Sequence, residues 1–546
     1  MPSPDLWKVK KPMSEPIKKQ NFLQGAALLA MATVIVKLIG AFYKLPLQRI
    51  IGPDGFSYFS TAYNVYSMLL LISTAGFPVA MSRMISQASS LGNYNQVRKT
   101  YKVARLFFLG IGLVSSLILI IFSPWLAEKM GQPNAALAIA CLGPSALFMG
   151  LVSTFRGFFQ GQGNMAPTSL SQVLEAFVKL VVGFGLALLV TQRYHHIPTA
   201  AAGAIIGVTC SCLVSALFLY SKFRPGYRSL PQTDDTPDST KKTALDLLTI
   251  AVPITIGSAG LQALTVVEQG LYMHQLLDTL GYSQAQADTT KGFYDLATTI
   301  YNMPCSLVVP IAISVIPAIS SALSLQDHNK VRQTEESAAR IAGLISLPCS
   351  VGLAILSRPI MALLGGSEYQ GENLVLAGNL LTVLGLCVFL YAIIQYTNAL
   401  LQSHGFAYVP VIHMLSAGGV KVLIVYLLAG NPHFGILGAP FGMLLGYTAI
   451  ASLNLLAIAR LVPQKPRLLQ NILRPVLPAV VMGAFVFLCY RGLEFVGITS
   501  RVILCGVPIF VGVCAYAFGV VLFKTIQKED CLLLPKGEKI AKLLRL

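Results

Sequence analysis

The stretch VIVKLIGAFYKLPLQRII, residues 34–51, reads as a hydrophobic helix interrupted by Lys37, Lys44 and Arg49. A bilayer core is spanned by about 20 apolar residues at about 1.5 Å of rise each. With the span beginning near Asn21, Lys37 lies roughly 22 Å inside it, too deep for its stem to reach back to the headgroups. A charge at that depth costs about 3 kcal/mol on insertion scales. Lys44, seven residues on, shares the same helical face, with only Gly40 and Ala41 between. Arg49, beyond Pro46, marks either the outer end of the helix or a third cation of that face. Cations held at such cost imply an anion that meets them inside the membrane.

Comparable apolar windows recur along the whole chain. Of its 546 residues 55% are hydrophobic and 11% charged, more apolar surface than a soluble core absorbs. The runs are long and continuous rather than alternating, which selects helices over an outer-membrane barrel. Spans begin near Asn21, Ser57, Val103, Asn134, Met165, Pro198, Ala244, Phe293, Ile341, Asn373, Phe406, Phe434, Leu468 and Val502. The expectation is an all-α polytopic membrane protein of about fourteen transmembrane helices.

The net charge of +18 is distributed by topology. With a cytoplasmic N-terminus, most of the 40 Lys and Arg residues fall on the inner side, from the tail MPSPDLWKVKKPMSEPIKKQ through the loops Arg83–Arg105 and Lys222–Lys242 to Arg545. That asymmetry predicts both termini in the cytoplasm and anionic lipids as partners; nucleic acid is not required. The first residues carry no pattern of a removable signal peptide. Nine of the ten cysteines lie in apolar runs, as small core residues do, and none has metal-ligand spacing.

The polar, proline-containing stretch SKFRPGYRSLPQTDDTPDSTKKT, residues 221–243, divides the chain into comparable parts. Residues 159–180 align without a gap on 401–422, equating Gln160 with Gln402, Gly163 with Gly405 and Lys179 with Lys421, at an offset of 242. The segment 60–67 matches 298–305 at an offset of 238, sharing the Tyr-Asn pairs 63–64 and 301–302. Two similar offsets argue for a parallel duplication. The predicted domains are a six-helix lobe at 1–220, a cytoplasmic linker at 221–243, a second six-helix lobe at 244–461, and two further helices with a basic tail at 462–546.

No phosphate-binding loop, HExxH, nucleophile elbow or acid/base constellation is present, so a built-in ATPase or hydrolase is not expected, and no cofactor or metal site is read. Ionisable residues inside spans are the functional candidates. Besides Lys37 and Lys44 these include Ser60, Asn64 and Ser67, a polar stripe at i, i+4 and i+7, with Thr298, Asn302 and Cys305 at the same spacing in the second half. Glu175 and Lys179 stand at i and i+4 and read as a structural ion pair. Lys421 and Glu268 lack a counter-ion on their own helices; either they pair across the bundle, or one serves substrate and the other a coupling ion. Lys291 and Asp295 read as a solvated pair near an outer end. Arg83 and Arg156 close spans on the cytoplasmic side, as topology anchors or as guides for a headgroup.

VKLIGAFYKLPLQRIIGPDGFSYF, GFPVAMSRMIS at 76–86, SQVLEAFVKLVVG at 171–183 and VPIAISVIPAIS at 309–320 together resemble the polysaccharide-transport branch of the multidrug/oligosaccharidyl-lipid/polysaccharide exporter superfamily, near the stage V sporulation protein B and MurJ-type lipid II flippases. The resemblance covers essentially the whole chain. It implies alternating-access export of an undecaprenyl-diphosphate-linked saccharide, with lipid II first among them, and cell-envelope synthesis proteins, vegetative or sporulation-specific, as partners. It places a cavity cation of the first helix at Lys37. A second falls at Tyr43, beside Lys44, and that family's span-eight arginine has no counterpart near Thr299.

The sequence-level mechanism has Lys37 and Lys44, with Arg83 and Lys421, neutralising a diphosphate while Ser60, Asn64, Thr298 and Asn302 bond the sugar. Energy comes from the membrane potential or a Na+ or H+ gradient, with Glu268 as the coupling carboxylate. The alternatives are an organic-cation antiporter of the same superfamily, and a membrane scaffold or enzyme of envelope or spore-wall assembly.

Overall fold

The computed structural model describes residues 22–527 and Asp530, except 75, 464 and 465. The basic N-terminal tail and the C-terminal tail beyond Asp530 lie outside the described residues. Within them every regular element is helical, as a medium without water requires of the backbone.

The first helix, α1 (22–51), ends at Gly52, whose φ of 70° and ψ of 176° suit glycine alone. Pro53 opens α2, which covers 53–74 and Gly76–Ser90. Tyr43 and Phe59 have ring centres 5.9 Å apart, so the chain reverses on one residue and the arms run back together. α3 (Tyr94–Ile121), α4 (Pro133–Gly161), α5 (Ala166–Tyr194) and α6 (Ile197–Arg228) complete the first half. α7 (Thr240–His274) and α8 (Gln284–Ser324) follow. Then come α9 (His328–Ile355), α10 (Gly371–Ser403), α11 (Tyr408–Ala429), α12 (Gly438–Leu461), α13 (Val476–Phe495) and α14 (Arg501–Leu522). Eleven segments among the described residues are long and apolar enough to cross a membrane; the first, 31–90, holds both arms about Gly52. With α7 and α8 this is consistent with fourteen spans.

One apolar core draws on residues from Tyr43 to Ala251, and two others draw on residues from Tyr272 onward. α7 is shared: Leu247 and Ala251 belong to the first core, Tyr272 and Met273 to the second, with Pro253 inside the helix between them. The halves meet along α1 against α8 and α2 against α7. Small residues permit that approach, since a Cβ at Gly76 would collide with the carbonyl of Ala251 and one at Gly292 with that of Pro53.

The expected linker is shorter than its composition suggests. α6 continues to Arg228 because Phe223 and Tyr227 stack on Tyr101 at 4.6 and 5.2 Å, burying the first turns of the polar stretch. The remainder is strapped to α3. Asp235 accepts from the backbone N–H groups of Asn95 and Gln96 at 3.1 and 3.0 Å, Arg98 donates to the carbonyls of Leu230 and Pro231, and Gln96 accepts from Asp238 N–H at 2.8 Å.

Candidate functional site: a cationic cavity between the halves

Two turns separate Lys37 from Lys44, and both enter one cavity of about 670 Å³. Reversal at Gly52 brings Phe59 and Tyr63 of α2 alongside, α5 adds Lys179, and α8 supplies the opposite wall through Thr299, Asn302, Pro304 and Ser306. The Nζ atoms of Lys44 and Lys179 stand 5.6 and 5.8 Å from the centre of the Tyr63 ring, so one aromatic face is shared by two cations. Lys37 is more exposed and lines the cavity together with Cys305 of α8.

Asp295, on the α8 side, holds Lys291 in a buried ion pair and also stands near Ser60 and Lys44. The pair expected to be solvated is thus interior: Lys291 is fully buried and donates toward the carbonyl of Ser57 at 3.5 Å. Its charges cancel each other. Among the described residues, Lys37, Lys44 and Lys179 form no ion pair, and no carboxylate lines the cavity.

Several expected assignments change. Lys179 does not pair with Glu175; the Glu175 carboxylate takes Arg156, at 2.9 Å, which also donates to Ser171. A guanidinium binding one oxygen through a fixed fork outcompetes the flexible lysine of the same helix. Lys421 is not a lining residue but binds Glu268 at 2.6 Å, and the two side chains are 20% and 5% exposed. Of the two roles open to this pair, pairing across the bundle is the geometry adopted. Arg83 is exposed and outside the lining. Asn302 does line the cavity; at the neighbouring position it is Thr299 rather than Thr298, which turns toward Tyr294. Asn64 points away and donates to Gln269 of α7 at 2.8 Å.

That last bond belongs to a seal at the Gly52 end. Gln269 donates to Thr61 at 2.6 Å, and Thr61 in turn donates to Gln132. Gln132 donates to Ser57 and, at 2.9 Å, to Asp288. Tyr58 and Gln284 donate to the same carboxylate, each at 2.9 Å. Thr289 donates to Asp54 at 2.5 Å, Gln48 to Tyr369 at 2.8 Å, and Arg49 to the carbonyls of Leu363 and Leu364. Arg49 is therefore neither a cavity cation nor a free membrane anchor. With this end knitted across both halves, the cavity is closed on the side of Gly52.

Helices that satisfy their own backbone and apolar spans along the whole chain define a multi-pass membrane protein, here with a cationic cavity between two packed halves. The chain belongs to the polysaccharide biosynthesis protein family, whose model matches residues 22–323. It is 27% identical over 541 residues to the uncharacterized membrane protein YabM of Bacillus subtilis (strain 168), covering 97% of this chain and 98% of that one. It is 24% identical over 526 residues to stage V sporulation protein B of the same organism, covering 95% and 98%. Its fold superposes on the lipid II flippase MurJ in an inward closed conformation with a TM-score of 0.65 and 16% identity, covering 91% and 98% of the two chains.

Proposed function

We propose that the protein carries an undecaprenyl-diphosphate-linked saccharide from the inner to the outer leaflet by alternating access, lipid II being the first substrate to test. The observation that carries this reading is the cavity wall, which holds three lysines and no carboxylate. A diphosphate satisfies Lys44 and Lys179 together, Lys37 meets it on entry, and Thr299, Asn302 and Ser306 offer hydrogen bonds to the glycan. Lysine, a compact charge on a flexible stem, can follow a phosphate through two conformations. An inside-negative potential favours outward movement of an anion by about 2.3 kcal/mol per charge per 100 mV, so no nucleotide is needed. The reading takes both termini as cytoplasmic, on the distribution of Lys and Arg, and the sealed Gly52 end is then the outer one. The organic-cation alternative is disfavoured, because such a cargo wants unpaired carboxylates where this cavity presents ammonium groups.

The test is reconstitution into vesicles with a fluorescent lipid-linked precursor, scoring leaflet exchange for wild type, Lys37→Ala and Lys44→Ala. Exchange that falls at least tenfold in Lys44→Ala supports the proposal. Equal exchange in all three, or exchange of an organic cation in place of the lipid, removes it.

A further inference from the structure

The Glu268–Lys421 pair is a further concentration of buried charge, and its construction differs from an incidental salt bridge. Glu268 is almost completely buried on α7, and the phenols of Tyr272 and Tyr294 stand near enough to feel its charge. Tyr294 in turn has Thr298 beside it. A carboxylate held this deep needs a cation beside it, and Lys421 Nζ supplies one at 2.6 Å. Lys421 reaches in from α11 across α12, its stem lying on Gly446: a Cβ there would stand 2.9 Å from Lys421 Cβ and 3.0 Å from its Cγ. Glycine at 446 is what seats a long side chain along that path. Lys179, the residue aligned with Lys421 in the first half, has no such partner and faces the cavity. One aligned lysine is neutralised and the other is not.

We propose that the Lys421 ammonium is a tethered counter-ion occupying a monovalent-cation site built around Glu268, so that the second half of the protein needs no soluble coupling cation. Breaking a buried pair from one side leaves an uncompensated charge, which the protein must neutralise from solution. Lys421→Met keeps the stem over Gly446 and stops one heavy atom short of the ammonium position. That variant opens a site for Na+ where the wild type has none.

The experiment reads protein stability and does not depend on the cargo. Unfolding midpoints of detergent-solubilised wild type, Lys421→Met and Glu268→Gln/Lys421→Met are compared in NaCl and in choline chloride at equal ionic strength. The proposal expects Na+ to raise the midpoint of Lys421→Met by several degrees, with wild type and the double variant unmoved. Loss of stability in Lys421→Met that is equal in the two salts marks a purely structural pair and overturns the proposal, as does a Na+ response in wild type or in the double variant. If Lys421→Met does not survive purification, membranes are solubilised in each salt: recovery only in Na+ supports the site, and recovery in neither overturns it.

Discussion

Replacing Lys44 by methionine should strengthen the empty protein and weaken its hold on an anion. Lys44 and Lys179 stand 5.6 and 5.8 Å from the centre of one ring. They are thus no more than about 11 Å apart, and at an effective dielectric constant near 20 their repulsion is at least about 1.5 kcal/mol. Asp295 does not cancel this, because its main partner is Lys291. Methionine keeps most of the stem and removes the charge, so the unfolding midpoint of the empty variant rises. A bound diphosphate loses one charge-assisted contact worth about 1.5–3 kcal/mol, which weakens binding roughly 10- to 100-fold. Thermal unfolding in detergent gives the first quantity, and calorimetric titration with a short-chain polyprenyl diphosphate gives the second. A variant that melts lower than wild type and binds the diphosphate equally well refutes the reasoning on both counts.

Further predictions concern the scaffold. Arg340 bonds both carboxylate oxygens of Asp530, whose side chain is 2% exposed, so Arg340→Met should cost about 3–5 kcal/mol and Arg340→Met/Asp530→Leu should recover much of it, read as unfolding midpoints. Gln269→Leu removes the partner of Asn64 and one of the two partners of Thr61; Ser57→Cys, in a background whose native cysteines are replaced, should then react faster with a membrane-impermeant maleimide. An unchanged rate would show that the seal does not depend on Gln269. At Asp235 desolvation is the largest single influence and acts upward, but the hydrogen bonds from Thr233 and the N–H groups of Asn95 and Gln96 together outweigh it and hold the carboxyl below its ordinary value. A depressed carboxylate contributes above its unfolded pKa and loses that contribution as pH falls through the folded one. Proteolysis of the strap 229–239 should therefore accelerate below about pH 4 and be fast at neutral pH in Asp235→Ala.

The cavity was half legible in the sequence, and the limits follow from range. Lys37 and Lys44 could be read because depth and a seven-residue spacing are properties of one helix. Lys179 was assigned to Glu175 by the i, i+4 rule, since the competing Arg156 belongs to another helix. Periodicity carries no information about such a partner. The same holds for Glu268 and Lys421, more than 150 residues apart in the chain, for which sequence left two roles open. Boundaries failed where tertiary partners satisfy a polar turn. α8 starts at Gln284 rather than Phe293 because Tyr58 and Gln132 of the first half meet Asp288. The GPDG stretch after Ile51 looks like a loop, yet the chain needs only Gly52 to turn, and α2 begins at once.

The helix α5 widens into a π turn over Lys179–Gly183, pressed against Tyr43 and Gly207, whereas residues 421–425 of α11 lie in regular α-helix. A π turn is what one inserted residue leaves in an α-helix, and such bulges gather at functional sites. The turn takes up the extra residue locally, so losing a single codon there would return α5 to the spacing of α11 while the helix beyond keeps its face. Chain length is thus tolerant inside this turn and strict outside it, where a codon lost from the regular turns on either side would rotate one flank of α5 against the other by about 100°.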